Sequence, residues 1–448
     1  MRSAVALALA VLLAVPALAR AGETLLPYSE AARLALAAAA EGRSRFDAPA
    51  PPAAHSATIG VPSGFADLAR RPATVPWTEL VLAEFVKHKT SPNRAARGLG
   101  LVHVAMHDAL VLSDRLCRDR PPSPGADPAR SCVSHHADSV VAAAAARVLR
   151  YLFVAEESYF DRLALELGAR SVASGLTTEA AVQAGLALGA GIGQRVVDYA
   201  ESDGTARGWN GLRLEWYGEG RYYGPGAWEP TPPYFYYPPE EPFAPTWKTW
   251  LMSRPDQFRP TPPRFGSERY MRELLEVRSV LDRGTDDQKR EAAFWADGRG
   301  TMTPPGHWNH IALALVARGA PGDSLRVATI FARLNQALAD TFVAAWECKY
   351  AYWTARPITA ARYLLGVELE PVILTPAFPS YVSGHAAFSG AAATVLGSYF
   401  PEASSELTRM AEEAAMSRLY AGIHFRFDNE DGLALGRKIG ALAVEASP

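Results

Sequence analysis

This 448-residue chain is poor in cysteine, in net charge and, beyond its N-terminus, in long apolar runs. The formal net charge is −2 and no long basic run occurs, so the sequence gives no indication of nucleic-acid binding. We expect no membrane span in the mature chain, because no later segment reads as apolar for long enough to cross a bilayer. The apolar content of 49% is ordinary for a globular protein.

Only three cysteines are present: Cys117, Cys132 and Cys348. The first two bracket the loop CRDRPPSPGADPARSC, and a disulfide between them would constrain the unfolded chain in an oxidising compartment. Their spacing permits this bridge without requiring it. We expect Cys348 to be a buried thiol.

The N-terminal stretch MRSAVALALAVLLAVPALARAG has the pattern of a secretory signal peptide. Arg2 supplies the positive charge, residues 4–15 form an apolar stretch, and small residues place cleavage near Ala19 or Ala21. A membrane anchor is the alternative, but the apolar run is short and ends at Pro16. The stretch therefore predicts export to the periplasm or the medium.

The chain lacks a strand-rich block and a repeat of fixed period, whereas apolar residues spaced three and four apart dominate from Trp77 onwards. Residues 207–266 are rich in Pro, Gly, Tyr and Trp, which predicts a long ordered loop across the surface. We expect an all-α fold of two packed helical bundles with long loops rich in proline and aromatic residues. The predicted division is a signal peptide (1–21), an N-terminal arm (22–75), an N-terminal helical region (76–270) and a C-terminal helical bundle (271–448).

The stretch CKYAYWTARPITAAR places two cations beside aromatic residues. Pro357 disfavours helical geometry at Arg356, so a helix is predicted to end there. Lys349 lies seven residues earlier, and both side chains should leave the same helix face, near Trp346. Two cations beside an aromatic wall can grip an anion. The alternative is a surface Lys and Arg that flank an aromatic core stripe.

The stretch PSYVSGHAAFSG places a histidine where a loop enters a helix. Ser383 can cap a helix that begins near His385, and Gly384 allows a ligand to approach the backbone. The unpaired amides of a helix start favour a bound oxyanion, and His385 could exchange protons with it. A capped helix with a partly exposed histidine is the alternative.

The third stretch, MSRLYAGIHFRFDNEDG, contains a histidine with an acidic neighbour. Arg418 precedes a predicted helix end at Gly422, and His424 follows in an irregular segment. Asp428 is close enough to orient the imidazole and raise its basicity, which suits a nucleophile or a ligand of a metal centre. A capping glycine and a surface His–Asp pair are the alternative.

Together the three stretches supply three cations without matched local acids, neutral donors and two histidines of different character. This set fits one tetrahedral oxyanion with a histidine in line on one side and an acid/base on the other.

The motifs K-x6-RP, SGH and SR-x3-G-x-H-x3-D resemble the signature of one superfamily, which joins vanadium-dependent haloperoxidases, type 2 phosphatidic acid phosphatases and bacterial acid phosphatases. One departure is Val382, where the superfamily usually has proline. Three longer segments look like the exported bacterial haloperoxidase branch: GPGAWEPTPP (224–233), FWADGRGTMTPPGHWNHIA (294–312) and AWECKYAYWTARPITAAR (345–362).

The resemblance implies a role for each motif residue. His424 would bind the metal of a vanadate cofactor, His385 would be the acid/base that handles peroxide, and Asp428 would orient His424. Asp297 would brace the lysine and an arginine. The residues implied to bind the vanadate oxygens are Lys349, Arg356, Ser383, Gly384 and Arg418. The residues implied to shape the halide pocket and its entrance are Trp346, Phe378, His307 and Trp308.

The implied function is oxidation of bromide or chloride by hydrogen peroxide to hypohalous acid, which halogenates a small organic acceptor. The alternative within the superfamily is an exported acid phosphatase, in which His424 attacks a phosphate ester and His385 protonates the leaving group. A helical binding or scaffold protein with a lapsed site is a third possibility. The halide, the acceptor and the oligomeric state stay open.

Overall fold

The computed structural model describes residues 23–28, 32–33, 36–38, 61–66, 71–118, 136–205, 218, 221–319 and 323–446. Within these residues the regular structure is helical and contains no strand, and the predicted all-α fold class is confirmed. The predicted signal peptide (1–21) and much of the N-terminal arm lie outside the described residues. The described ranges include four short 3-10 helices: Ser63–Phe65, Val154–Glu156, Ala244–Thr246 and Pro401–Ala403.

The first group of helices packs around an apolar core of its own. The second of them has 27 residues, and most of its side chains are buried. The helices are α1 (Thr74–Lys87), α2 (Pro92–Arg118), α3 (Ala137–Leu152), α4 (Glu157–Ala173) and α5 (Glu179–Glu201).

The second group surrounds a separate core in which one helix of 29 residues is buried along most of its length. That helix, α9, also packs along α2 and so joins the two groups. The helices are α6 (Glu268–Arg283), α7 (Asp286–Phe294), α8 (Thr303–Arg318), α9 (Ser324–Tyr352), α10 (Pro357–Leu365), α11 (Gly384–Tyr399), α12 (Ser404–Tyr420) and α13 (Arg426–Glu445).

The segment rich in proline and aromatic residues contains no long regular element between residues 221 and 266, as predicted, and only the short 3-10 helix Ala244–Thr246 interrupts its irregular path. It is not confined to the surface, because Trp228 and Trp247 are buried in the second core. The buried carboxylate of Asp340 on α9 anchors it further by accepting hydrogen bonds from three successive amides, at residues 250, 251 and 252. Residues placed in region 76–270 thus contribute to the second core, and the division at 270 stays a prediction.

Helix α2 corrects the expectation that no later segment could cross a bilayer. By length and hydropathy it is the one helix among the described residues that could do so. Its qualifying stretch is buried inside the protein throughout. The core of a large helical protein produces the same pattern as a membrane span, because it too is apolar all round.

Small residues bring α11 and α13 into close contact, as the run of alanine and glycine in α11 predicts. A Cβ atom on Gly436 would lie 1.9 Å from the carbonyl oxygen of Ala387, so only glycine fits there. At the start of both helices, the amide of Ser383 donates to the carbonyl of Asp428 at 3.0 Å. This contact holds the SGH motif next to the end of the motif that contains His424 and Asp428.

The cysteines behave as expected where they are described. Cys117 is disulfide-bonded, and Cys348 is a free, buried thiol. Cys132 lies outside the described residues.

Candidate active site

The three motifs meet at one buried place, where several helices begin or end. Lys349 lies in the last turn of α9, Ser383 caps α11, and His424 lies in the turn between α12 and α13. Side chains from all three motifs are at most 2% exposed: Lys349, Arg356, Ser383, Arg418, His424 and Asp428. The fold therefore assembles the set that the sequence predicted.

The path from Lys349 to Arg356 differs from the prediction. Helix α9 ends at Tyr352, Trp353 adopts a left-handed conformation with φ of 54°, and Arg356 is extended at the cap of α10. The prediction of one helix face was wrong, because the chain leaves the helix before the proline at 357 can end it. Both cations nevertheless reach Phe378: the Lys349 Nζ lies 5.0 Å and the Arg356 Cζ 4.9 Å from its ring centroid.

Lys349 holds the loop that leads into α11. Its Nζ donates to the carbonyl oxygens of Pro379 and Ser380, both at 2.9 Å, and of Val382 at 2.5 Å. Burial, and then the charge of Arg356, lower the pKa of Lys349. Three carbonyl acceptors nevertheless call for three N–H groups, and only the ammonium form has them. Lys349 therefore supplies positive charge while its protons are engaged by the backbone.

Arg356 ties the same loop to the turn that carries His424. Its Nε donates to the carbonyl of Phe378 and its Nη1 to the carbonyl of Ile423, both at 2.9 Å. The same Nη1 lies 3.0 Å from His424 Nε2. Burial lowers the pKa of Arg356 to about 9, so the guanidinium stays charged at neutral pH.

Arg418 has a donor to spare. Its Nη2 donates to the carbonyl of Ala292 at 2.7 Å and its Nε to Ser417 Oγ at 3.0 Å. Its Nη1 is buried and has no hydrogen-bond partner among the described residues. Burial lowers the pKa of Arg418 to about 10, and the charge of Asp297 opposes this shift. A buried, charged N–H group without a partner is costly and therefore marks a place for an acceptor.

His424 is held as a neutral imidazole with a defined tautomer. Its Nδ1 donates to Asp428 Oδ2 at 2.8 Å, which leaves the lone pair on Nε2. Burial, then the charges of Arg356 and Lys349, lower the pKa of His424 well below its usual value. Burial raises the pKa of Asp428 to about 6, so this carboxylate is ionised at neutral pH. The Nε2 lone pair suits a metal ligand or a nucleophile.

Ser380 is a member of the site that the sequence reasoning missed. Its hydroxyl donates to Asp428 Oδ2 at 2.5 Å, the oxygen that also accepts from His424. The sequence contains only a weak signal for Ser380, which is one hydroxyl residue in the stretch PSYVSGH. No spacing rule predicts its contact with a residue 48 positions later.

His385 and the start of α11 form the opposite side of the site. The Ser383 side chain caps the helix by accepting from the amide of Ala386 at 3.4 Å. The amides of the first turn have no acceptor within the helix and therefore favour a bound anion. His385 Nε2 is buried without a partner in the described part of the chain. Burial, then the charge of Arg418, lower the pKa of His385 well below its usual value, so it is neutral and able to accept a proton.

Two aromatic side chains cover the cations. The rings of Trp346 and Phe378 lie 4.8 Å apart, with Trp346 buried and Phe378 half-buried. A Cβ atom on Gly384 would lie 3.6 Å from Trp346 Cζ3, so this wall borders the start of α11. The placement agrees with the predicted pocket wall.

The residues of the FWADG and GHWNH segments are placed differently from the expectation. Asp297 Oδ2 pairs with His307 Nδ1 at 3.0 Å and does not brace Lys349, whose protons go to carbonyls. Its charge does act on an arginine of the site, because it opposes the lowering of the pKa of Arg418 by burial. His307 stacks on Trp295 at 4.6 Å between ring centroids, beside the site. Trp308 is not at the entrance: it is fully buried and its Nε1 donates to Ser389 Oγ at 2.9 Å. Trp308 is therefore a core residue.

The donor set fits a tetrahedral oxyanion such as vanadate or phosphate. Lys349, Arg356 and Arg418 place three positive charges around the site, and none of them pairs with a carboxylate among the described residues. Two buried nitrogen atoms, on Arg418 and His385, have no partner in that part of the chain. An oxyanion would supply the missing charge and the missing acceptors.

Comparison with known proteins agrees with this geometry. A family model described as the VCPO second helical-bundle domain matches residues 329–407 and 403–447. A search of curated protein sequences gives no significant match.

Solved structures share the fold over most of the chain. A bacterial vanadium-dependent iodoperoxidase has a TM-score of 0.68 and 23% identity, over 84% of this chain and 96% of that one. The apo form of a bacterial vanadium-dependent chloroperoxidase has a TM-score of 0.57 and 15% identity, over 78% and 92%. Its holo form has a TM-score of 0.58 and 15% identity, over 80% and 92%. The resemblance predicted from the three motifs is thereby confirmed: this chain has the fold of the vanadium haloperoxidases, and its residues 329–447 match the VCPO second helical-bundle domain.

Proposed function

We propose that this protein is a vanadium-dependent haloperoxidase that uses hydrogen peroxide to oxidise a halide to hypohalous acid. The observation that carries the proposal is that the residues matched by the domain model, 329–447, contain all three buried cations and both histidines of the site. The fold around them is shared with a bacterial vanadium-dependent iodoperoxidase and a bacterial vanadium-dependent chloroperoxidase.

The residues that would hold vanadate have separate tasks. His424 presents the Nε2 lone pair as the metal ligand, and Asp428 holds the ring in this tautomer. Arg418 Nη1, the Ser383 hydroxyl and the amide of Gly384 would donate to the vanadate oxygens. When bound, vanadate supplies a Lewis-acidic centre that activates hydrogen peroxide toward halide attack.

Lys349 and Arg356 would act mainly through charge and position. Both spend most of their N–H groups on backbone carbonyls, so they hold the loops around the site while they balance the negative charge of an oxyanion. His385, neutral and unpartnered at Nε2, is placed to accept a proton from incoming peroxide. Trp346 and Phe378 limit water on the halide side.

The competing function, phosphate-ester hydrolysis, uses the same donors. A neutral His424 could attack phosphorus with its Nε2 lone pair, which accepts from Arg356 Nη1 in this structure, and phosphate-ester hydrolysis would need no further residue. The match over 96% of the iodoperoxidase chain favours the peroxidase.

A direct assay separates the two functions. Purified protein is incubated with and without orthovanadate and then given hydrogen peroxide with iodide, bromide or chloride, beside a separate phosphate-ester assay. We expect vanadate-dependent oxidation, first of iodide because it is the most easily oxidised. Phosphate-ester hydrolysis without vanadate, together with no halide oxidation, would overturn the proposal.

A pair of variants tests the metal ligand. We expect His424→Ala to lose halide oxidation while its far-UV circular dichroism is unchanged. The control is His310→Ala, because His310 is exposed on α8. Wild-type activity in His424→Ala would refute the assignment.

We also propose that the protein is exported. The predicted signal peptide and the disulfide at Cys117 support this, because disulfides persist in oxidising compartments. Cell fractionation with the native N-terminus tests it, and retention of the uncleaved chain in the cytoplasm would contradict it.

A further inference from the structure

An exposed aromatic surface lies on the irregular segment from residue 221 to residue 240. Its side chains are 44–64% exposed: Tyr222, Tyr223, Tyr234, Phe235, Tyr236 and Tyr237. We call the five tyrosines the tyrosine surface. Their rings are grouped, since Tyr234 and Tyr236 have centroids 5.2 Å apart and the hydroxyls of Tyr223 and Tyr237 lie 3.5 Å apart.

The first part of this segment is fixed to the end of α9. The amide of Trp228 donates to the carbonyl of Trp353 at 2.8 Å, and the amide of Ala355 donates to the carbonyl of Gly226 at 2.9 Å. The amide of Trp353 in turn donates to the carbonyl of Lys349 at 2.9 Å. The segment is therefore attached one helical turn from a cation of the site.

The second part is fixed to the aromatic wall of the pocket. The carbonyl of Glu240 accepts from Trp346 Nε1 at 2.9 Å and from the Tyr350 hydroxyl at 2.7 Å. The amide of Glu240 donates to the carbonyl of Ala377, the residue before Phe378, at 3.0 Å. Both parts of the segment that carries the tyrosine surface are therefore attached to residues of the pocket wall or next to them.

We propose that the tyrosine surface is a site of self-halogenation, modified by the hypohalous acid that the pocket releases. This inference rests on the proposed function, which supplies the oxidant. The ring carbon ortho to the phenol oxygen gives an electron pair to the halogen of HOX. A C–X bond forms and the O–X bond breaks. The displaced ring proton leaves with the hydroxide as water, while the halogen is reduced from +1 to −1 and the ring carbon is oxidised.

Location and exposure select these tyrosines. An oxidant that leaves the pocket is most concentrated at its border, before it is diluted into solvent. Three other tyrosines around the site are shielded, because Tyr270, Tyr350 and Tyr381 are at most 4% exposed.

An order of reaction follows within the surface. Burial raises the pKa of Tyr237 to about 12, and its hydrogen bond with Tyr223 adds to this shift. Tyr237 is also the least exposed of the five, at 44%, and its hydroxyl lies 3.5 Å from that of Tyr223, so it should be modified after Tyr234 and Tyr236.

The test compares oxidant made in the pocket with oxidant added to the solution. Vanadate-loaded full-length protein is given hydrogen peroxide and iodide for a few turnovers, triiodide is followed in the same tube, and iodine is located by peptide mass spectrometry. Separately, the protein without peroxide receives the same dose of hypoiodous acid from bulk solution. Tyr159, half-buried on α4, is the reference residue.

We expect the ratio of iodine on the tyrosine surface to iodine on Tyr159 to be several-fold higher when the oxidant is made in the pocket. Equal ratios, or no iodine on the tyrosine surface while triiodide forms, overturn the inference and leave the proposed function standing. Absence of triiodide overturns the proposed function and this inference with it.

A double variant gives an independent check. Tyr234→Phe with Tyr236→Phe keeps both rings and removes the phenol oxygens that activate them. We expect an unchanged rate of triiodide formation and a loss of iodine at these two positions, with Tyr159→Phe as the matched control. Iodine found undiminished on the two phenylalanine rings would contradict electrophilic attack on the phenols.

Discussion

Cations with little solvent exposure have different hydrogen-bond partners in the two groups of helices. On α2, Arg94 makes two hydrogen bonds to the carboxylate of Glu241, at 2.5 and 2.8 Å, and Arg97 donates to Asp203 at 2.7 Å. In the second group, Lys349, Arg356 and Arg418 donate to backbone carbonyls instead.

The difference separates a structural task from a functional one. A carboxylate partner cancels a buried charge permanently, so the ion pairs on α2 hold the fold together. Carbonyl oxygens satisfy N–H groups but leave the net charge in place. The charges of Asp428 and Asp297 offset part of this positive charge, and the second group keeps a remaining positive field that an incoming anion would cancel.

The largest expected effect comes from breaking one of the ion pairs on α2. Arg94→Met leaves the carboxylate of Glu241 without its partner, and we expect the free energy of unfolding to fall by about 3–5 kcal/mol. Urea denaturation measures this. Vanadate affinity should stay at the wild-type value.

The control is Arg290→Met, which breaks an ion pair on the surface of α7, where Arg290 is exposed. It should unfold like the wild type. An Arg94→Met protein as stable as this control would show that the ion pair between Arg94 and Glu241 does not stabilise the fold.

An intermediate effect is expected from removing one of the site cations that donate to backbone carbonyls. Arg418→Met takes away a charged donor that has no carboxylate partner but leaves the carbonyl of Ala292 unpaired, so the free energy of unfolding should fall by about 1–3 kcal/mol, less than for Arg94→Met. The dissociation constant for orthovanadate should rise by about 10- to 100-fold, the equivalent of one charge-assisted hydrogen bond. Isothermal titration calorimetry measures the constant. A large loss of stability with unchanged affinity would reverse the assigned roles.

The smallest expected effect comes from a neutral buried pair near the site. Ser389→Ala removes the acceptor of Trp308 Nε1, and we expect a loss of about 1–3 kcal/mol in the free energy of unfolding. The KM for halide should not change, because Trp308 lies in the core. A changed KM for halide with wild-type stability would indicate that Trp308 lines the halide pocket.

The sequence predicted most of the site because its residues are unusual where they stand. Lys349, His385 and His424 are polar residues in apolar or helix-terminal contexts, and each has a chemical reason to be there. The cap at Ser383 and the contact between His424 and Asp428 follow from local spacing, and both occur.

The features that the sequence did not predict depend on distant parts of the chain. Helix α9 ends early at Trp353, whose carbonyl accepts from Trp228, 125 positions away. The contacts of Lys349 depend on the path of the loop 379–382. Trp308 has the same helical spacing whether it faces a pocket or a core, so periodicity could not place it.

The most direct test is whether orthovanadate binds at the buried cations and stabilises the protein. The melting temperature and the bound vanadium are measured at increasing orthovanadate concentration for the wild type and for His424→Ala. We predict one vanadium per chain and a melting temperature that rises with concentration in the wild type, with about 2.7 kcal/mol of added stability at 100 times the dissociation constant. His424→Ala should show neither. A wild-type protein that binds no vanadium and melts at the same temperature with and without orthovanadate would contradict the assignment of this site to an oxyanion.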